Sequence, residues 1–453
     1  MTQICMASTL VGATTLAAAI DSGVLSTPTA GERILLVLNE ALAPELVRPW
    51  YESPLAGPIL SRFARVIFLN DALYPYLPTR WEPREEDVPM LERLFRSHWS
   101  LGNGPLELVV ESLDTPPASA LTQVFRQAPI DVLVAGLGGY GPSRPGLPLH
   151  VIQRMRELVY LDAVPGVTPV LLSEHGVGAL RVSADAFKHV LAQMVAAARE
   201  ADPVADYGDR PTSLILGQDL SGLDILSPDE EVALYVGMAD AAVGRGAERV
   251  VFRPHPAALP ALAESLRKEA LRRGAEFGVI DPFLPAEVLV SAGVLDSVVS
   301  CFSTALVTVK DMFGVPTVSI GSETLLDRLT PYQAGSRIPL TIVDALSREG
   351  DPYGDPVRMQ ELIDTVSYCM QPRTVPHLRA RAEAFLESLA DPERRRYVKR
   401  ARLEALKLPG GRGDGADAPI PAGATTPAWM RPAAAAGRRL RKFGSGPSSG
   451  RTR

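Results

Sequence analysis

The chain has 453 residues, 46% hydrophobic and 22% charged, with a formal net charge of −6 at pH 7. That composition excludes a wholly disordered chain, and the length predicts two or three domains. The acidic balance excludes a dedicated nucleic-acid binder, but the charge is uneven: residues 411–453 hold eight Arg or Lys against two Asp, so the remainder is acidic and the tail basic.

Residues 3–8 are apolar enough for a buried strand, followed by a turn containing Gly12 and a helix over 13–21. The segment resembles a signal sequence only superficially, because the first basic residue is Arg33 and no charged region precedes the apolar one. Ser8, Thr9, Gly12, Thr14 and Thr15 dilute it below a membrane span, and no later stretch supplies about 18 clean apolar residues. A soluble or membrane-peripheral protein is expected. The three cysteines, Cys5, Cys301 and Cys369, lack any CxxC spacing. They predict neither a disulfide framework nor a zinc site, and a reducing cytoplasm fits them.

Short apolar runs over 34–38, 66–69, 106–110, 132–135 and 170–172 predict further strands, and amphipathic stretches over 118–127 and 186–199 predict helices. Residues 201–212, acidic and broken by Pro203 and Pro211, predict a linker. The alternation then restarts: strands over 213–216, 250–252, 277–280, 297–299 and 317–320, with helices over 228–244, 259–273, 285–292 and 304–313 between them. Alternation of this kind argues for parallel sheets covered by helices. The fold class is therefore α/β: two Rossmann-like domains, 1–200 and 213–377, facing across a cleft. Charged helices over 378–408 and a basic tail over 409–453, expected to be disordered, complete the chain.

Candidate chemistry sits at predicted strand ends, where an open α/β sheet binds ligands. The run Val250-Val251-Phe252-Arg253-Pro254-His255-Pro256 ends a strand in Arg and clamps a histidine between prolines. The prolines stiffen the backbone, and an imidazole can protonate a departing phosphate near neutral pH, with Arg253 adding positive charge. An ordinary turn histidine is the alternative. Ser303-Thr304 opens an apolar helix, where free N–H groups suit a phosphate or simply need a cap. Glu287 lies in the first turn of the preceding helix, placed either for the helix dipole or for a ribose diol. Gly217-Gln218 is the first loop of the second domain and a candidate for nucleotide contact. In the first half, Glu174 of Ser173-Glu174-His175-Gly176 is a candidate general base after the run 170–172, with Asp162 as its competitor. The glycine run 136–141 has the wrong spacing for a dinucleotide loop and reads as a flexible cleft loop. No Asp-rich metal motif stands out.

Taken together, Glu174-His175-Gly176, His255-Pro256 and Ser303-Thr304, in that order, resemble the motifs of bacterial sialyltransferases, most closely the polysialyltransferase family. The resemblance covers about residues 1–345. It implies a GT-B fold with the nucleotide donor on the second domain and the acceptor on the first. It also implies inverting transfer from CMP-sialic acid without a metal or other cofactor. Glu174 would then be the base and His255 the acid. Ser303 and Thr304 would hold the phosphate, Glu287 the ribose, and Gly217, Gln218, Arg253 and Pro256 would complete the donor site. His175 stands where the family motif has a second acidic residue, which keeps Asp162 open as the base. Another nucleotide-activated donor (a UDP- or GDP-sugar, or CDP-glycerol) and a non-catalytic nucleotide-binding relative also stay open. The acceptor implied is a surface glycan or glycolipid. The basic cluster Arg438-Arg439-Leu440-Arg441-Lys442 would let the cytoplasmic protein sit on an anionic membrane surface.

Overall fold

In a computed structural model, residues 1–26, 28, 31–40, 48–201, 210–255, 258, 260–293 and 295–411 are described. Most of the expected linker and basic tail, together with Pro256, lies outside the described residues. The first lobe is built on strands β1 (Thr2–Ala7), β2 (Arg33–Val37), β3 (Arg65–Phe68), β4 (Leu106–Val110), β5 (Ile130–Val134), β6 (Met155–Leu161) and β7 (Gly178–Val182). They form one sheet in the order β3-β2-β1-β4-β5-β6-β7, every pair parallel. The second lobe is a parallel sheet of β8 (Thr212–Leu216), β9 (Arg249–Arg253), β10 (Glu276–Val279), β11 (Ser297–Ser300) and β12 (Thr317–Ser319), in the order β10-β9-β8-β11-β12.

Both orders belong to the doubly wound, Rossmann-like type. The winding direction reverses between β1 and β4 in the first sheet and between β8 and β11 in the second, and such reversals open crevices beyond the strands' carboxyl ends. The strands read as continuous apolar runs because helices cover both faces: β4 and β8 are buried along their whole length. Helix Pro228–Gly244 starts on a capping box between Ser227 and Glu230, which fixes its first turn. Two lobes of this kind constitute the GT-B fold. Among the described residues, no helix is long and apolar enough to cross a membrane.

The strand predicted over 170–172 does not form. Val170 and Leu172 are buried, but their segment pairs with a loop instead of a ladder: the Leu171 N–H donates to the Gly139 carbonyl at 3.2 Å and the Leu172 N–H to Ser143 Oγ at 2.8 Å. Leu172 also takes a left-handed φ of 63°, which ends any extended run. The sheet is completed by β6 and β7, whose polar residues hid them. Arg156 on β6 reaches Glu107 on β4 at 2.7 Å and Asp131 on β5 at 2.5 Å, a polar row crossing the sheet near its amino end.

The cores of the two lobes meet. Leu137, Tyr140, Val164 and Val170 of the first lobe belong to the same buried cluster as Ile338, Leu340 and Met370 of the second. Helices Arg379–Ser388, Asp391–Tyr397 and Arg400–Leu406 pack into that cluster through Phe385, Tyr397 and Leu403.

Candidate active site

The second-lobe crevice gathers most of the expected donor residues. Gly217 and Gln218 follow β8, His255 follows β9, and Ser303 and Thr304 follow β11. Since β8 lies between the other two strands, the histidine and hydroxyl loops stand about two strand spacings apart, on the order of 10 Å. The glycine at 217 is required by this packing. Its N–H donates to the Arg253 carbonyl at 2.8 Å, and a Cβ there would stand 2.7 Å from the His255 backbone N. The Gln218 side chain spans to the other loop, accepting from the Phe302 N–H at 3.2 Å, while its backbone carbonyl accepts from Tyr235 Oη at 3.0 Å.

His255 is half-buried, and burial holds its pKa below the ordinary 6.5. The neighbouring Arg253 charge pushes the same way, while Asp219 and Glu231 oppose it. Arg253 is tethered by Nη1 to the Leu284 carbonyl at 3.1 Å, and its Nε is buried without a hydrogen bond. Burial lowers its pKa and the nearby Glu287 opposes that shift. Glu287 itself is buried and accepts from Thr308 Oγ1 at 2.6 Å.

Ser303 is the N-cap of helix Thr304–Phe313, its Oγ accepting from the Ala305 N–H at 3.3 Å. Thr304 Oγ1 accepts from the Leu137 N–H of the first lobe at 3.4 Å. The glycine run is therefore not a flexible loop: Leu137–Tyr140 form a 3-10 turn with Leu137, Gly139 and Tyr140 buried, Leu137 and Tyr140 in the cluster shared with the second lobe.

The first-lobe base candidates occupy different places. Asp162 follows β6 directly; its Oδ2 accepts from Arg181 Nη1 at 3.2 Å, its Oδ1 is buried without a hydrogen bond, and burial raises its pKa. Glu174 lies in the 3-10 turn Ser173–His175, beside His175 Nε2 at 3.4 Å, with both carboxylate oxygens buried and lacking hydrogen bonds. It does not follow a strand.

A cavity of about 370 Å³ opens between the lobes at the carboxyl ends of β4 and β5, lined by Glu111, Asp114, Ser143 and Arg144 from the first lobe and Gln333 and Gln371 from the second. Gly138 and Gly141 of the 3-10 turn segment form part of its wall, and the same segment meets Thr304 through the Leu137 N–H. Glu111 escaped the sequence reading. It is the first residue beyond β4, and its signal was the run of apolar residues ending in a carboxylate, the same pattern that drew attention to Arg253.

The solved structures similar to this chain have low sequence identity to it. A UDP-GlcNAc 2-epimerase from Methanocaldococcus jannaschii is 10% identical with a TM-score of 0.43, over 81% of this chain and 99% of that one. The GT-B domain of a sialyltransferase from Photobacterium damselae is 11% identical with a TM-score of 0.40, over 78% and 98%. An ADP-heptose heptosyltransferase II from E. coli is 13% identical with a TM-score of 0.35, over 70% and 84%. Comparison with curated proteins gives no match. The alpha-2,8-polysialyltransferase (POLYST) family model matches residues 3–322, well over half of the chain, and the protein belongs to that family of glycosyltransferases.

Proposed function

We propose that this glycosyltransferase moves sialic acid, or a related sugar, from a CMP-activated donor to a glycan acceptor, with inversion and without a metal. The observation that carries the reading is the meeting of the Gly217-Gln218, Arg253–His255 and Ser303–Thr304 segments at the crevice of the second sheet. A cytidine monophosphate seated there would lie against the first turn of helix Thr304–Phe313, whose N–H groups and hydroxyls favour an anion. His255 would give its proton to the departing phosphate oxygen. Its depressed pKa fits that task only with the donor present, because the phosphate's negative charge raises the histidine's affinity for the proton. Arg253, tethered to the Leu284 carbonyl and with the Glu287 charge nearby, supplies positive charge beneath the same loop. Glu287 would approach the ribose from its buried position against Thr308, and Pro256, next in sequence, would restrict the backbone of His255. The motif supplies Glu174 as the acceptor base, with Asp162 as runner-up. The basic tail would hold the enzyme at an anionic membrane surface near a lipid-linked acceptor.

Calorimetric titration with CMP, UDP, GDP and CDP tests the donor. Preference for CMP is expected, and preference for UDP or GDP overturns the assignment. Turnover of CMP-sialic acid should fall about 10²–10⁴-fold in His255→Ala and be insensitive to EDTA. Unchanged turnover in that variant contradicts the leaving-group role. Liposome co-sedimentation with and without residues 411–453 tests the tail, equal binding rejecting it.

A further inference from the structure

We propose that Tyr235 is a positioning residue for the donor: with Glu231 one turn before it, it fixes the loop after β8 and, through Gln218, the loop that carries Ser303 and Thr304. The inference rests on the donor reading above and names two residues that its motifs do not.

Helix Pro228–Gly244 packs against β8, β9 and β11, the three strands whose ends form the crevice. The capping box fixes where it begins, and the i, i+4 spacing then puts Glu231 and Tyr235 on one face. Both side chains are buried.

That face holds the backbone of the loop at four points. Glu231 Oε1 accepts from the Leu220 N–H at 2.9 Å, and Oε2 accepts from the Ser221 N–H at 3.1 Å. Tyr235 Oη accepts from the Gln218 N–H and donates to the Gln218 carbonyl at 3.0 Å. One hydroxyl takes both backbone groups of a single residue, which fixes the peptide planes on either side of Gln218. Burying a carboxylate and a phenol costs desolvation, and the loop offsets that cost only in the one shape that brings its four groups to them.

Gln218 carries the constraint to the next loop. Its Oε1 accepts from the N–H of Phe302, one residue before Ser303, at 3.2 Å. Ser303 in turn caps helix Thr304–Phe313. On the other side, the Tyr235 ring meets Phe252 of β9 edge to face, with centroids 5.8 Å apart, just before Arg253. All three strand-end loops thus take their spacing from one buried side chain. A phosphate that enters a site already in place loses less to ordering than one whose site must form around it.

The clamp persists over working pH. Burial pushes the Tyr235 hydroxyl well above the ordinary 10, so it keeps the proton that it gives to the Gln218 carbonyl. Burial also holds the His255 pKa down, and the charges of Asp219 and Glu231 oppose it, so the carboxylate that fixes the loop also favours the imidazolium.

Calorimetric titration with CMP, and hydrogen–deuterium exchange of the peptide carrying Phe302, test the role in the full-length chain. Tyr235→Phe keeps the buried ring and should weaken CMP binding about tenfold. It should also speed exchange at the Phe302 amide, although the Tyr235 hydroxyl bonds Gln218 and not Phe302. Gln218→Leu should do both, and the double variant should bind CMP no more weakly than Gln218→Leu alone. The control is Tyr353→Phe, which removes another buried hydroxyl, one that donates to Glu393 at 2.7 Å. It should lower the melting temperature with CMP affinity and Phe302 exchange unchanged. A Tyr235→Phe that behaves like this control overturns the positioning role, and so do losses that add in the double variant. If Tyr235→Phe does not fold, Gln218→Leu decides, since its side chain is only half-buried: wild-type exchange at Phe302 in that variant overturns the role. A wild type that prefers UDP or GDP overturns the CMP assignment alone, and the same comparison is then read with that nucleotide. A wild type that binds no nucleotide overturns the donor reading and the positioning role with it.

Discussion

At the scale of single residues, each lobe carries a buried titratable group just beyond the end of a strand. Burial pushes Glu111 toward its neutral form and His255 toward its own, so both groups are poised by desolvation in the absence of ligand. The folded-state pKa of Glu111 is raised, so the fold prefers its protonated form. The associated stability is fully present below 4.5 and is lost as pH rises toward about 7. Glu111→Gln escapes that loss. Its melting temperature relative to wild type should therefore rise between pH 5 and pH 8, and a difference independent of pH would count against the raised pKa. Gly217→Ala belongs to the same scale. Its Cβ would press on the backbone of His255, and we expect it to weaken CMP binding in a calorimetric titration more than it lowers the melting temperature.

Among elements, the helix opened by Ser303 separates two roles. Loss of the cap in Ser303→Ala should cost about 1 kcal/mol of stability. If the same oxygen also meets a phosphate, CMP affinity falls as well. Asp355→Ala, at the N-cap of helix Pro356–Met370, which follows no strand of the second sheet, should cost a similar amount with CMP affinity unchanged, which gives the comparison. Helices Pro228–Gly244 and Thr304–Phe313 were legible residue for residue, because each begins on a cap and carries an apolar face. Strands β6 and β7 were not. Arg156 and Glu157 begin β6, and Arg156 finds its partners on β4 and β5, a relation invisible in local periodicity. The run 170–172 misled for the converse reason: its burial comes from packing under the 3-10 turn, not from a ladder. The donor loops were readable because prolines and paired hydroxyls mark them locally. Glu111 was not, since the hydrogen bond that holds it comes from Ser8, 103 positions away in sequence.

Across the whole molecule, the lobes are joined by more than their linker. Leu137 and Tyr140 are fully buried in the second lobe's core cluster. Gln360 clasps the Thr168 backbone from the other side, accepting from its N–H at 2.7 Å and donating to its carbonyl at 3.2 Å. Unfolding one lobe would expose part of the other's core, so calorimetry should record one cooperative transition. Two well-separated transitions would show that the shared cluster contributes little.

The account turns on a nucleotide phosphate beside His255, and an NMR titration of that ring tests it most directly. The chain has six histidines, and comparison with His255→Ala identifies the signal. We predict a pKa below 6.5 in the free protein and a clear rise on saturation with CMP. A ring whose titration ignores CMP, or shifts for UDP or GDP but not for CMP, would contradict it.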